Sequence, residues 1–395
     1  MPEPTSRTTI DSRQTPRFLD LHVLQTLPFS NVNRDDLGSP KTVMFGGTTR
    51  TRVSSQAWKR PTRQAAEASI GERALRTRRL PQQVAHLLRE DKGWPAELAE
   101  LAGAQIIRSA ETKLALDDGD RTTASLLFLP DSAAGVLAAL AEEHRPALEK
   151  ALGNKAAEKK PLLPKDRVHE VLRSRNGSIA LFGRMLAEIP GAGVDGAVQV
   201  AHAFTTHSTS VQADFFTAVD DAEQWATDAG SGHMNTGEYS SGVFYRYATL
   251  DLDDLTRNVP EPATARILAE AFATAFLNSL PSAKKTSTAP HTVPDLVHIA
   301  VRADRPVSFA AAFEEPVRAT TEGWAGPSRT ALSEYAFRVE KLLGSSGIVH
   351  SAHAGVMAKP LEGLGEQADS YAGLVSDALA RIYPEPGAAA EREQS

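Results

Sequence analysis

The sequence predicts an α+β protein in which a ferredoxin-like order, β-α-β-β-α-β, is interrupted by a long helical insertion. Three observations carry that reading. Apolar residues alternate over 18–25, 243–250 and 296–302, the period of strands. Apolar residues recur every three or four positions through much of 67–175, the period of helices. The chain's 395 residues, 41% of them hydrophobic, leave room for a sizeable core and two or three domains. RNA-recognition domains use the ferredoxin-like topology and lay bases on the open sheet face.

Each element follows in chain order. Residues 18–25 put Leu19, Leu21 and Val23 on one face and Asp20 and His22 on the other. Residues 83–101, interrupted at Gly93-Trp94-Pro95, and 133–152 have helical spacing, with a Lys- and Pro-rich joint at 155–164. Residues 179–186 and 197–206 read as strands. A polar, Gly-containing excursion follows, shaped as a protruding hairpin or lobe, with Phe215 and Phe216 on one limb and Met234 on the other. Residues 243–250 form a strand, 264–280 a helix, and 282–294 a loop holding Lys284 and Lys285. A strand at 296–302 and helices at 328–343 and 367–382 complete the order. Residues 1–16 and 384–395 lack periodicity and read as disordered tails. There is no internal repeat.

Several function classes drop out. No apolar run approaches a membrane span, and the first residues lack the layout of a secretory signal, so the expectation is a cytoplasmic protein with no membrane partner. The absence of cysteine excludes thiol catalysis, disulfides and Cys-ligated metals. No phosphate-binding loop or nucleophile elbow is present. His350 and His353 read as solvated loop histidines, and Gly46-Gly47 as a tight turn. The pairs Asp35-Asp36, Asp220-Asp221 and Asp253-Asp254 read as turn or capping residues; metal-dependent nuclease chemistry would require such carboxylates to converge in space.

Charge is unevenly spread. The formal net charge is −6, yet residues 41–79 hold ten basic and two acidic residues, so the tract is +8 and the remainder −14. A basic tract in an acidic protein marks an anionic partner. Asn33-Arg34-Asp35-Asp36, Lys41, Phe45-Gly46-Gly47, Arg50-Thr51-Arg52 and Ser54-Ser55-Gln56-Ala57-Trp58-Lys59-Arg60 form the densest constellation. With a helix beginning at Ser54 or Ser55, Gln56, Lys59, Arg60 and Arg63 share one face, able to line a sugar–phosphate backbone or to be a solvated basic face. The phenylalanines of the excursion are either wedges between bases or anchors in the core.

These blocks resemble the N-terminal signature of the CasC family, the backbone subunits of Cascade, the type I-E CRISPR surveillance complex. Gly71-Glu72, Leu75-Arg76-Thr77, Gly183-Arg184-Met185, Val194-Asp195-Gly196-Ala197, Ala201-His202-Ala203, Thr205-Thr206-His207, Asp214 with Phe216 onward to Asp221, Ser240-Ser241-Gly242-Val243-Phe244-Tyr245-Arg246-Tyr247-Ala248 and Ala283-Lys284 extend the resemblance in family order over residues 17–382. It implies a right-hand shape: a modified RNA-recognition palm (17–63, 179–206 and 240–383), a helical fingers insertion (64–178) and a β-hairpin thumb (207–239). It implies copies polymerised along one CRISPR guide RNA, thumbs that turn out a base at regular intervals, and target DNA paired to the guide in segments. The implied partners are the guide, the target DNA through it, further copies, other Cascade subunits and a recruited helicase-nuclease that does the cutting. The subunit itself is then noncatalytic and needs no cofactor.

By the same resemblance Arg34, Lys41, Lys59, Arg60 and Arg63 contact the guide backbone, with Arg52, Ser54 and Gln56 in the same block. Met185, Phe215, Phe216, Thr217 and Met234 form the wedge at the displaced base. Two positions depart from the family pattern. Pro61 stands where a small helix former is expected, which predicts a kink and unsettles the facing of Arg63. Phe215 stands where tryptophan is usual. Two alternatives remain: a related backbone subunit that cleaves target RNA with a metal at Asp35 or Asp36, and a monomeric RNA-binding protein.

Overall fold

The computed structural model describes residues 15–218, 233–357 and 360–384. Nearly all of both predicted tails, and Asp220-Asp221, lie outside these residues. The protein is α+β, as predicted, and divides into two units: Met1–Ala65, Val198–Asp253 and Ala269–Ser395 form one, and Ala66–Ala197 with Asp254–Leu268 the other.

The first unit is built on a mixed sheet of ten strands among the described residues. Its middle is antiparallel: Phe18–Ser30 lies between His233–Asp251 and Leu296–Arg302, with Leu21 opposite Ala248 on one side and Ile299 on the other. The alternation in these strands separates two buried faces, not a wet face from a dry one. Asp20, His22, His298 and Arg302 are all buried. Asp20 accepts from Arg302 Nε (3.0 Å), the Val307 amide (2.9 Å) and the Tyr247 hydroxyl (3.0 Å). His22 Nδ1 meets the Tyr245 hydroxyl at 2.9 Å, and Phe309 stacks on the His22 ring at 4.2 Å. Leu24, Tyr245, Phe309, Phe313, Leu332 and Ala336 close the core beneath helix Ala325–Leu343, and helix Tyr371–Ile382 packs its Leu374, Val375, Ala378 and Leu379 inward.

One expectation for this unit needs correction. His350 and His353 are neither in a loop nor solvated: both are buried on strand Ile348–Gly355, where His353 Nδ1 lies 3.1 Å from the Leu364 carbonyl and its Nε2 accepts from the Leu361 amide (3.2 Å). This strand escapes sequence reading because Ser351, Ala352, Ala354 and Gly355 carry little β signal. Gly46-Gly47 is a tight turn, as expected, and it closes a hairpin of Thr42–Phe45 and Thr48–Val53. Both glycines have positive φ (59° and 74°), and a Cβ on Gly46 would lie 1.6 Å from the Glu314 carbonyl oxygen, so only glycine fits there. Helix Ser55–Ile70 continues through Pro61. Ala57, whose carbonyl loses its donor to Pro61, is only half-buried, so that oxygen can turn to water.

The second unit holds the insertion. Helices Leu80–Lys92, Ala96–Ala110, Ala133–Glu143 and Lys165–Arg173 bury Val84, Leu88, Leu98, Ile106, Leu137 and Val168 in one cluster. Gly93 (φ 65°) ends the first and Pro95 precedes the second, as the interruption at 93–95 predicts. Within the joint at 155–164 lies the single turn Lys155–Glu158, capped by Asn154. Residues 179–186 are not a strand. Asn176 Oδ1 accepts the Ile179 amide, helix Gly177–Phe182 follows, and Gly183 (φ 76°) stops it. A short apolar run between turn residues does not distinguish the two outcomes.

Candidate nucleic-acid interface

The interface begins with a loop and a hairpin that brace a helix. Asn33 Oδ1 accepts the Ser54 amide (2.8 Å) and the Asn33 carbonyl accepts the Lys41 amide (2.9 Å). Ser54 is buried, and its carbonyl takes the amides of Ala57 and Trp58, which starts the helix Ser55–Ile70. Asp35 spends Oδ1 on the amides of Leu37 and Ser39 (2.9 Å each), a turn that leaves Arg34 exposed beside it.

The helix has two faces. Trp58, Thr62 and Ala66 are buried on one side, and Gln56 and Arg60 are exposed on the opposite side. Lys59 and Arg63 lie on that basic side, half-buried, and each engages a partner within the fold. Trp58 anchors the helix through Arg246, whose guanidinium is sandwiched between the Trp58 ring (3.9 Å) and the Phe276 ring (4.6 Å). Arg246 also donates to Gln25 Oε1 (2.6 Å) and to the Phe276 carbonyl, and complete burial pushes its pKa down to about 9.

The two arginines of the hairpin do different things. Arg50 is fully buried and donates to the carbonyls of Thr205 (2.9 Å) and Phe313 (3.0 Å) and to the Thr48 hydroxyl (2.9 Å). It is a strap of the fold and drops out of the basic tract. Arg52 comes to the surface, its amide bonded to the Lys41 carbonyl (2.7 Å) and its Nη1 2.9 Å from His202 Nδ1. Burial first, then the charges of Arg52 and Lys41, hold the His202 imidazole below its ordinary pKa. A neutral ring between two cations is a ready acceptor from Arg52, and the three groups together mark a spot of positive potential. His202 was missed as a site residue; only its place in the Ala201-His202-Ala203 block pointed to it.

Strand Gln212–Ala218 pairs with the first part of His233–Asp251, Phe215 opposite Thr236, Phe216 opposite Asn235 and Thr217 opposite Met234. This is the predicted hairpin, and the reading of its phenylalanines as core anchors is overturned: Phe215 is 60% exposed and Phe216 45%. Thr217 is exposed as well. The root of the arm is tied to the basic loop. Asn31 Nδ2 donates to the Glu238 carbonyl (2.8 Å), the Ser39 hydroxyl to Glu238 Oε2, Phe29 stacks on Tyr239 (4.3 Å), and Lys284 Nζ lies 4.7 Å from the Tyr239 ring centre.

Met185 belongs to the second unit and is 93% exposed. The buried Arg184 before it donates to the carbonyls of Ala192 (2.7 Å), Ser174 (2.7 Å) and Arg173 (2.9 Å), and burial lowers its pKa to about 10. That strap fixes the loop from which Met185 projects. Among the described residues no cluster of three or more His, Asp or Glu side chains could hold a metal ion, and no helix is long and apolar enough to cross a membrane.

Comparison with known proteins gives a consistent answer. The model of the CT1975-like protein family matches residues 19–375. A chain of a solved CRISPR RNA-guided surveillance complex in a pre-nicking state is 47% identical, with 93% of this chain and 100% of that one covered and a TM-score of 0.85. A chain of a second CRISPR RNA-guided surveillance complex is 42% identical over 92% of this chain and 99% of that one, with a TM-score of 0.76. No curated protein matches.

Proposed function

From the premise that this chain belongs to the CT1975-like protein family, and is of the CasC kind that its residue blocks resemble, we propose that it is a backbone subunit of a CRISPR RNA-guided surveillance complex. Copies of it polymerise along the guide RNA, together with other Cascade subunits, and displace guide bases at regular intervals. The target DNA pairs with the guide in the segments between, and a recruited helicase-nuclease cuts it. In this reading residues 17–63, 179–206 and 240–383 are an RNA-recognition-like palm, 64–178 the fingers and 207–239 the thumb.

The observation that carries the proposal is the pairing, within one unit, of a surface basic group with an arm bearing two solvent-facing phenylalanines. Lys41, Arg52 and Arg60 neutralise phosphates with no reference to sequence, as a subunit serving any guide requires. Arg34, Gln56, Lys59 and Arg63 extend that surface, and Ser54 sets the start of the helix that carries it. Phe215 and Phe216, with Thr217 and Met234, take the place that a displaced base leaves, and Met185 offers a displaced base an apolar contact of its own. A folded protein gains nothing from keeping two phenylalanines in water, whereas a base stacked on such a ring contributes about 1–3 kcal/mol. The turn bonds of Asp35 support a turn role at that position, since its Oδ1 accepts two backbone amides.

Binding to guide RNA tests the reading. Replacing Lys41, Arg52 and Arg60 together by alanine removes three phosphate contacts and flattens the plot of log K against log salt by about 2, at about 0.7 per contact on a single strand. The loss is the same for unrelated guide sequences. An unchanged affinity and slope in the triple variant overturns the proposal.

A further inference from the structure

Trp324 is a large aromatic side chain, 41% exposed, outside every block that pointed to RNA. Its ring lies flat on that of His207, with centroids 4.1 Å apart and planes 9° from parallel. His207 is buried and fixed at both nitrogens: Nδ1 lies 2.9 Å from the Ser208 carbonyl and Nε2 accepts the Val243 amide (3.2 Å). Trp324 is fixed as well. The turn before it is closed by reciprocal bonds between Thr320 and Gly323 (3.1 and 3.0 Å), and its carbonyl accepts the Ser328 amide (2.9 Å) at the start of helix Ala325–Leu343. The Ser328 hydroxyl is held in turn by that of Thr206 (2.8 Å).

This tryptophan is joined to the basic hairpin by few steps. Thr209 donates its amide to the Thr49 carbonyl (3.0 Å), Val317 donates to the Thr206 carbonyl (3.0 Å), and Arg50 of the hairpin reaches the Phe313 carbonyl (3.0 Å). His207 therefore lies in a segment stitched to the hairpin on one side and to the Trp324 loop on the other.

We propose that Trp324 is a preorganised stacking platform for an unpaired base of the RNA that the basic hairpin holds, an inference that rests on the RNA-binding reading above. A protein partner would call for a contiguous apolar patch. The residues flanking Trp324 in the chain are instead polar: Thr320, Thr321, Glu322 and Thr330 are exposed, and Arg329 is half-buried with its guanidinium near Gly326. A single π-face flanked by polar groups, with Arg329 on the adjoining helix turn, suits a base of any identity. Because the ring is already immobilised on His207, stacking costs little additional side-chain entropy.

Tryptophan emission reads this contact directly. Trp58 and Trp94 are buried, and Trp225→Phe removes the tryptophan outside the described residues, so quenching by added RNA reports on Trp324. The probe is an unstructured single-stranded RNA oligonucleotide, with double-stranded RNA as control, and affinity is measured independently by anisotropy. The single strand is expected to quench the emission. Trp324→Ala should weaken binding about 5- to 150-fold, the equivalent of about 1–3 kcal/mol per stacked base, with the salt slope unchanged because no phosphate contact is lost. Trp324→Phe should retain most of the affinity, which separates stacking from misfolding. RNA that binds with unquenched emission and equal affinity for Trp324→Ala overturns the platform alone. A parent chain that binds no RNA overturns both the platform and the RNA-binding reading. A Trp324→Ala chain that binds RNA normally but loses self-association assigns the surface to protein contact and overturns the platform.

Discussion

Arg50 and Arg52 stand two residues apart on one strand, and the sequence treats them alike. The fold does not. Removing Arg50 leaves the carbonyls of Thr205 and Phe313 without their donor in the interior, at about 1–3 kcal/mol for each stranded group. Arg50→Met should therefore lose about 3 kcal/mol or more in denaturant unfolding. Arg52→Ala should unfold within about 0.5 kcal/mol of the parent and lose RNA affinity instead. Equal stability losses in the two variants would show that the distinction between strap and contact is wrong. Charge counting over 41–79 was legible as a signal for an anionic partner, but it could not separate these two arginines, since burial depends on carbonyls supplied by residues 205 and 313. The same holds for Trp324, whose role depends on a ring 117 positions away in sequence (His207 to Trp324).

The strands of the sheet were legible as elements because their alternation is strong. Their environment was not, because alternation alone does not say whether the second face is wet. His22 and His298 show the consequence. They sit opposite each other in adjacent strands. Burial, ahead of the charge of Arg302, lowers the His298 pKa to about 3, and burial with the nearby His298 and Arg302 sets that of His22 well below the usual range. In the unfolded chain both rings take up a proton near pH 6.5, so the unfolded state binds more protons below that pH. Their contribution to stability is fully present above about pH 6.5 and is lost as pH falls toward 3, at about 1.4 kcal/mol per pH unit for each ring. Glu340 runs the other way. Burial pushes its carboxyl up to about 7, so its contribution is present below about pH 4.5 and lost as pH rises through 7. Two rings outweigh one carboxyl, and the urea midpoint should fall between about pH 7 and about pH 5. His298→Leu should make the decline shallower; an unchanged slope would remove the buried histidines from the explanation. The helix Ser55–Ile70 was legible too, with its basic face. Its continuation beyond Pro61 was less so, because a proline in the pattern does not say whether the helix resumes after it.

At the scale of the molecule, the α+β class and the family were both readable from the sequence, the second from blocks that span most of the chain. The division into two units was harder to read, because the second is assembled from residues 66–197 and a short return at 254–268. If the subunit is a noncatalytic scaffold, then with Mg²⁺ or Mn²⁺ the purified chain leaves guide RNA, target RNA and target DNA intact. Cleavage that disappears in Asp35→Ala or Asp36→Ala would replace the scaffold with a nuclease. The arm makes the sharper demand. Its phenylalanines face solvent in the single chain, so Phe215→Ala with Phe216→Ala should melt close to the parent, without the loss of about 3–5 kcal/mol that a buried phenylalanine would incur. The measurement that tests the whole account most directly is chemical probing of every guide base in the assembled complex, for the parent and for this double variant. The account predicts reactive bases at a regular interval in the parent, and loss of that periodicity in a variant that still assembles and melts normally. Uniform reactivity along the guide in the parent, or a periodicity that survives the loss of both phenylalanines, would contradict it.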